Sequence, residues 1–345
     1  MTGRTGPPPA PGRERTGPRS VAGPEGRGAD WAPERESAAR RLVEDTAWKR
    51  AEDAARAGGV QIRELAEMAD LVRLCALVDD IWHPNPSNPP VTAELLRALA
   101  RAGNYVAGAF AGDQLVGACA GFFGAPGERA MHSHIAGVSP GLPGKHVGFA
   151  LKLHQRAWVL SRGATTITWT FDPLVCRNAY FNIAKLAALP IEYLPDFYGE
   201  MDDIINAGDD SDRLLVQWPL TADAVDRACQ GAGCGADAAR LRAAGVAVVL
   251  DIDAGGRPVI WDADPAAATV LVRVPSDIES VRRHDAAVAR RWRRALRWVL
   301  GGLMADGGQV TGFDRSGWYV VQRGAAGEPI PGRAGEPPPD RKAGQ

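Results

Sequence analysis

The sequence predicts an α/β (α+β) fold: a mixed, mostly antiparallel sheet flanked by helices over residues 60–222, followed by a smaller α/β domain over residues 245–323. Three observations predict it. Two apolar runs, Tyr105 to Phe110 and Leu115 to Phe123, flank the polar turn Ala111-Gly112-Asp113-Gln114, the pattern of an antiparallel hairpin. A strand ending in Gly137-Val138 passes through a Pro/Gly-rich loop into an amphipathic helix. Strand-like runs then alternate with helical periods to the end of the core region.

The elements follow in order. Residues 1–38 and 324–345 hold Pro, Gly and Arg with few apolar side chains, too few to offset chain entropy, and are expected to be disordered. Residues 39–59 read as a charged, Ala-rich lead-in helix stopped by Gly58-Gly59. Val60 to Leu65 alternates as a half-buried strand, and Leu71, Leu74, Cys75 and Val78 mark a helix over 68–82 that His83-Pro84-Asn85-Pro86 ends. A helix over 92–102 precedes the hairpin. Next come a strand (130–138), a helix (145–162), a strand (165–171), a short helix (178–186) and a strand (213–220). Residues 223–244 read as a linker. The last third reads as strands over 246–252, 258–261 and 269–274, one long helix over 277–305 and a strand pair around 310–321.

Composition narrows the function classes. With 40 Lys and Arg against 41 Asp and Glu, the net charge of -1 gives no electrostatic footprint for a polyanion. Arg290, Arg291, Arg293, Arg294 and Arg297 gather on one side of the long helix, opposite Ile278, Val281, Trp292 and Leu296, and read as a solvated face; nucleic acid is not the expected partner. No apolar run reaches the roughly 18 residues of a membrane span, so no membrane association is expected. Five scattered cysteines and a start without an apolar leader point to a reducing, cytoplasmic setting. Cys229 and Cys234 lack a second ligand pair nearby, so no metal is expected.

The chemistry concentrates in His134 to Lys152. A Gly-rich loop feeding a helix start presents backbone N–H groups to a diphosphate, and Gly144 and Gly148 let the backbone approach closely; an ordinary strand–helix connection is the competing reading. Element order and loop resemble the GNAT superfamily of acyl-CoA-dependent acyltransferases over Val60 to about Leu220. The phrases MHSHIAGVSP, GFALKLHQRAW, ITWTFDPL, RNAYFNIAKL, LPDFYGEM and NAGDDSDRLLVQW resemble, more narrowly, a group of predicted GNAT-type N-acyltransferases. The resemblance implies a GNAT-like sheet, acetyl-CoA as donor and an amine as acceptor. It further implies that Val138, next to Gly137 in the expected cofactor-binding set, bonds the pantetheine arm through its backbone and that Gly144, Lys145, His146, Val147 and Gly148 hold the diphosphate; Asn178 and Asn182 read as caps or as partners of the pantetheine amides. Relatives read Arg-Gly-Arg-Gly-Ile-Gly where this chain has Pro143 to Gly148, so Pro143 removes an amide donor and His146 adds a side chain. The Tyr that protonates the leaving thiolate in many GNAT enzymes aligns with Ile183, which leaves Tyr180 and Tyr198 as substitutes or as packing aromatics.

A general base is needed on the acceptor side. His132 and His134 lie two apart on a strand and share a face, as base candidates or as groups bonded within the sheet. Asp172, at a strand end, and Glu200 are further candidates, Asp172 reading equally as a cap before Pro173. Asp212-Arg213 reads as a structural ion pair. Finally, Pro140, Trp158-Val159-Leu160 and Phe171-Asp172 echo Pro275, Trp298-Val299-Leu300 and Phe313-Asp314, which suggests a degenerate GNAT-like second half or a chance similarity of two strand–helix–strand units.

Overall fold

The computed structural model describes residues 31–125, 127–140, 146–199, 209–233, 235–324 and 341–342. Helix α1 spans Trp31–Ala57, so it begins inside the stretch expected to be disordered. The Ala, Glu and Arg of that stretch are good helix formers. The remainder of that expectation, residues 1–30, lies outside the described residues, as does most of the C-terminal tail.

From Val43 onward the chain forms one compact unit built on two sheets. The first contains β1 (Gln61–Glu64), β2 (Tyr105–Ala111), β3 (Gln114–Phe123), β4 (Ala130–Val138), β5 (Thr166–Phe171), β6 (Leu189–Leu194) and β7 (Arg213–Pro219), in the order β1-β2-β3-β4-β5-β7-β6. Only β4 and β5 run parallel, joined by α4 (Val147–Ser161) as crossover. Helices α2 (Met68–Trp82) and α3 (Ala93–Arg101) cover one face, where Leu71, Leu74 and Leu96 meet Val106, Ala118 and Ala120. Thr92 caps α3 by accepting the Leu95 amide at 3.2 Å. Helix α4 lies with the other core, among Tyr105, Ala107, Cys119 and Met131. Helix α5 (Cys176–Ala179) continues as a π-helical turn, Tyr180–Lys185, before β6. Strand β6 was not expected. Its Pro190 argues against a strand from sequence, but an edge strand tolerates the missing donor.

The expected linker is itself structured, with α6 (Asp223–Cys229) and α7 (Ala238–Ala243). Asp226 on α6 takes the Arg50 guanidinium of α1 through both oxygens.

The second sheet contains β8 (Ala247–Ile252), β9 (Pro258–Trp261), β10 (Thr269–Arg273), β11 (Gln309–Asp314), β12 (Trp318–Gln322) and β13 (Arg341–Lys342), in the order β11-β12-β10-β8-β9-β13. β13 lies within the tail expected to be disordered and pairs in parallel with β9. The single long helix is broken. α8 (Ile278–His284) ends at Asp285, whose side chain accepts the Val288 amide and starts α9 (Ala286–Leu296), followed by a π-helical turn, Arg297–Gly301, and α10 (Gly302–Ala305).

The two sheets share a unit, though not the one the sequence echo suggested. β5, the α5 helix with its π turn, β6 and β7 correspond to β10, the α9 helix with its π turn, β11 and β12: the orders β5-β7-β6 and β10-β12-β11 are the same. Their registers match too. Leu214 lies opposite Phe171 and Tyr193, while Tyr319 lies opposite Val272 and Phe313. The bulges coincide at Ile191 in β6 and Thr311 in β11. Phe171 therefore corresponds to Val272, not to Phe313. The units pack reciprocally, the first π turn on β11 and the second on β6.

Among the described residues no helix is long and apolar enough to cross a membrane.

Candidate active site

β4 and β5 pair only at Ala130↔Thr166, Met131↔Ile167 and His132↔Thr168. Beyond that point β4 stays on β3 as far as Val138↔Gly117, and β5 stays on β7 as far as Phe171↔Leu214. Each strand is thus held on its outer side while the inner edges separate, and the sheet opens as a fork. A bulge helps: Gly121 pairs with Ser133 and Ala120 with Ile135, leaving His134 as the extra residue that bends β4 away.

His132, His134 and Phe122 gather on one face beside the fork. The Phe122 ring lies 5.4 Å from the His132 ring and 6.0 Å from that of His134. His132 Nδ1 is 3.3 Å from Thr168 Oγ1, and on the same face of β5 the Thr170 hydroxyl is 3.1 Å from the Tyr198 hydroxyl. Burial, reinforced by the charges of His134 and Lys152, lowers the His132 pKa, so its imidazole is neutral at pH 7 and able to accept a proton. Tyr198 is 43% exposed.

The opposite side of the fork carries Ser133, Trp169, Lys152 and Asn182. Lys152 Nζ donates to Ser133 Oγ at 2.9 Å and to Gln155 Oε1 at 3.1 Å, and lies 4.0 Å from the Trp169 ring centroid. Trp169 Nε1 donates to Asn182 Oδ1 at 3.2 Å, so Asn182 orients the indole and has that bond to offer before any to a ligand. Lys152, Ser133, Thr168 and Thr170 were not singled out from sequence. A signal existed for Lys152: it interrupts Val147-Gly-Phe-Ala-Leu-Lys-Leu, a stretch otherwise without charge.

The start of α4 is partly visible. Gly144 and Lys145 lie outside the described residues. His146 caps the helix in the left-handed region, at φ 51, and its carbonyl accepts the Phe149 and Ala150 amides. Val147 and Gly148 are then the first-turn residues whose amides a helix start turns outward. A Cβ on Gly148 would meet only Val138 Cγ2, at 3.6 Å. Gly137 is a glycine for another reason, since a Cβ there would stand 2.5 Å from the Trp82 ring of α2.

Other candidates do not join the fork. Asp172 is 8% exposed: its Oδ1 accepts Arg293 Nη1 at 2.8 Å and the Leu174 amide at 2.9 Å, and its Oδ2 accepts Arg293 and Arg282 Nη2 at 2.8 and 2.6 Å. It is a buried anchor for α8 and α9, not a substrate-side carboxylate. Asp209 Oδ2 joins the same two guanidinium groups, at 3.1 Å from Arg282 and 3.0 Å from Arg293. Arg293 is therefore buried, contrary to the solvated face expected of it, while Arg290, Arg291 and Arg294 are exposed as expected. Asp212 pairs with Arg297 rather than with Arg213, because its carboxylate turns to the Tyr193 hydroxyl and to α9's extension. Tyr180 lines a cavity of about 360 Å³ with Cys176, Arg177, Lys185, Ser276 and Arg315, apart from the histidines. Asn178 is half-buried at the start of α5, and Glu200 lies outside the described residues. Among the described residues no three His, Cys, Asp or Glu side chains converge as a metal site.

The first sheet, with its single parallel pair and crossover helix, has the mixed, mostly antiparallel arrangement that the resemblance to the GNAT superfamily led us to expect. No protein-family model matches the chain, and no match to it was found among the curated proteins. Similar solved structures include the ribosomal-protein-S18-alanine N-acetyltransferase from Escherichia coli (12% identity, 47% of this chain, 95% of that one, TM-score 0.37). An N-acetyltransferase from Staphylococcus aureus Mu50 gives 14% identity over 47% of this chain and 99% of that one, TM-score 0.37. The PaiA N-acetyltransferase from Thermoplasma acidophilum, in complex with coenzyme A, gives 15% identity over 46% and 98%, TM-score 0.36.

Proposed function

We propose that the chain is an acyl-CoA-dependent N-acyltransferase that takes acetyl-CoA as donor and an amine as acceptor. The observation that carries this reading is the fork. Past His132 the inner edge of β4 pairs with no residue of β5, and an extended, amide-bearing arm would lie along that edge up to Val138 as a third strand would. The amides of Val147 and Gly148, at the positive end of α4, would hold the diphosphate. The fit is chemical as well as geometric: an unpaired strand edge suits pantetheine amides, and a helix start suits phosphate.

On the histidine face, neutral His132 would take the proton that the acceptor nitrogen loses as it attacks the thioester carbonyl carbon. Thr168 would orient the imidazole, and Tyr198 with Thr170 would line the acceptor side. The acceptor class is an amine with access from the Phe122–Tyr198 face, where both aromatic rings are exposed.

Calorimetric titration with acetyl-CoA tests the reading. Wild type should bind, and Gly148→Glu should not, because its carboxylate would repel the diphosphate while its Cβ fits the space beside Val138. Equal affinity in a folded variant would remove the site. A second reading, a GNAT-fold module without catalytic activity, draws on Ile183, which is buried and cannot donate a proton where a Tyr is usual. Binding without turnover over a broad amine panel would favour it.

A further inference from the structure

The apex of the fork holds a buried cation without a counter-ion. Lys152 is 5% exposed, and among the described residues its ammonium makes no salt bridge. Its partners are neutral: the Ser133 hydroxyl, the Gln155 carbonyl and the π face of Trp169. Ser133 and Trp169 are the residues immediately past His132↔Thr168, the last β4–β5 pair, so the ammonium sits where the strands part. It carries three donors, and the hydroxyl and the amide take two.

The titratable groups around it do not neutralise it. From β3, Cys119 Sγ accepts Gln155 Nε2 at 3.1 Å, and burial pushes its thiol up, keeping it protonated. From β4, His132 adds no negative charge. Burial lowers the Lys152 pKa to about 8, so it remains an ammonium at pH 7 that gives up a proton readily. An uncompensated ion costs free energy in an apolar interior, so a cation at this position is placed to meet an anion that arrives during function.

We propose that Lys152 is the group that stabilises and protonates the thiolate leaving from the acyl donor. This rests on the acyltransferase reading and assigns the role left open by Ile183. As the acceptor nitrogen forms its bond to the carbonyl carbon, the carbon–sulfur bond breaks and its electron pair goes to sulfur. Lys152 Nζ gives a proton to that sulfur, producing the free thiol and a neutral amine held by Ser133 and Gln155. The proton from the acceptor nitrogen passes to His132, and Lys152 is reprotonated from water after the thiol leaves.

The test uses coenzyme A itself as probe, with Lys152→Met, which keeps most of the length of the unbranched side chain and removes its charge, and Lys152→Gln, which keeps a donor for Ser133. Bound coenzyme A is titrated by its thiolate ultraviolet absorbance, a readout that needs no turnover. With wild type the thiol should ionise at a pH about 1 or more lower than with Lys152→Met. Acetyl-CoA affinity should change less than about threefold, while turnover falls about 100-fold or more. The same thiol titration in wild type and both variants, or full turnover in either, overturns the assignment and leaves the acyltransferase reading standing. Failure of wild type to bind coenzyme A overturns that reading first, and the assignment with it.

Discussion

Replacing Asp172 by Asn tests whether the buried ion cluster, and not catalysis, fixes this residue. Asp172 and Asp209 face Arg282 and Arg293, two anions and two cations whose arginine side chains are 3% and 1% exposed. Asn keeps the shape but removes the negative charge that Arg282 and Arg293 contact at this position. Loss of one partner from a buried pair costs about 3–5 kcal/mol, since the remaining charge stays out of water. The expected outcome is a fall of that size in urea unfolding at pH 7, with a melting temperature lower by on the order of 10 °C. The pH dependence has a definite sign. Burial alone would raise the Asp172 carboxyl, but Arg293 by charge and hydrogen bond, with Arg282, holds it well below the usual carboxylate range. A depressed carboxyl contributes its stability above the unfolded-state pKa of about 4, and that contribution is lost as the pH falls below it. The gap between wild type and variant should therefore narrow on acidification. A stability loss under about 1 kcal/mol at pH 7, coupled with lost turnover, would refute the structural role and return Asp172 to the acceptor side.

Two further outcomes follow from the site. His146→Gly should raise stability by about 0.5–1 kcal/mol, because a left-handed residue with a Cβ is strained and glycine is not, less the chain entropy that glycine adds; thermal unfolding measures it, and a lower melting temperature contradicts the reasoning. His132→Ala should reduce turnover about 100-fold or more while sparing acetyl-CoA affinity, and the wild-type rate should rise with pH through a pKa below the ordinary histidine value; an unchanged pH profile in a folded variant removes the base.

Much of the first sheet was legible because its signals are local. The hairpin at residues 105–123, the strand at 130–138 and the crossover helix each depend on patterns within a few residues, and all formed within a residue or two of expectation. The shared face of His132 and His134 follows from strand periodicity alone. What sequence did not reveal depends on distant partners. Asp172 reads as a strand-end carboxylate until Arg282 and Arg293 arrive from more than 100 residues away. Arg293 reads as solvated for the same reason. The break at Asp285 has only a single Asp inside an apolar period as its sequence signal, so the period reads as one helix. The echo between the halves was misaligned because shared Trp-Val-Leu and Phe-Asp strings are weaker guides than strand register.

The correspondence between the two sheets has one point of divergence. β8 follows β10 through Leu250↔Val272, the position equivalent to Phe171, whereas β4 releases β5 at Thr168. The second unit is therefore zipped shut where the first is open. Its reciprocal packing on the first also means that the two units meet as two copies related by exchange would, but within one chain. Two copies meeting in solution would associate according to their concentration; here covalent linkage sets the association of the two units, and each molecule carries one open fork and one closed.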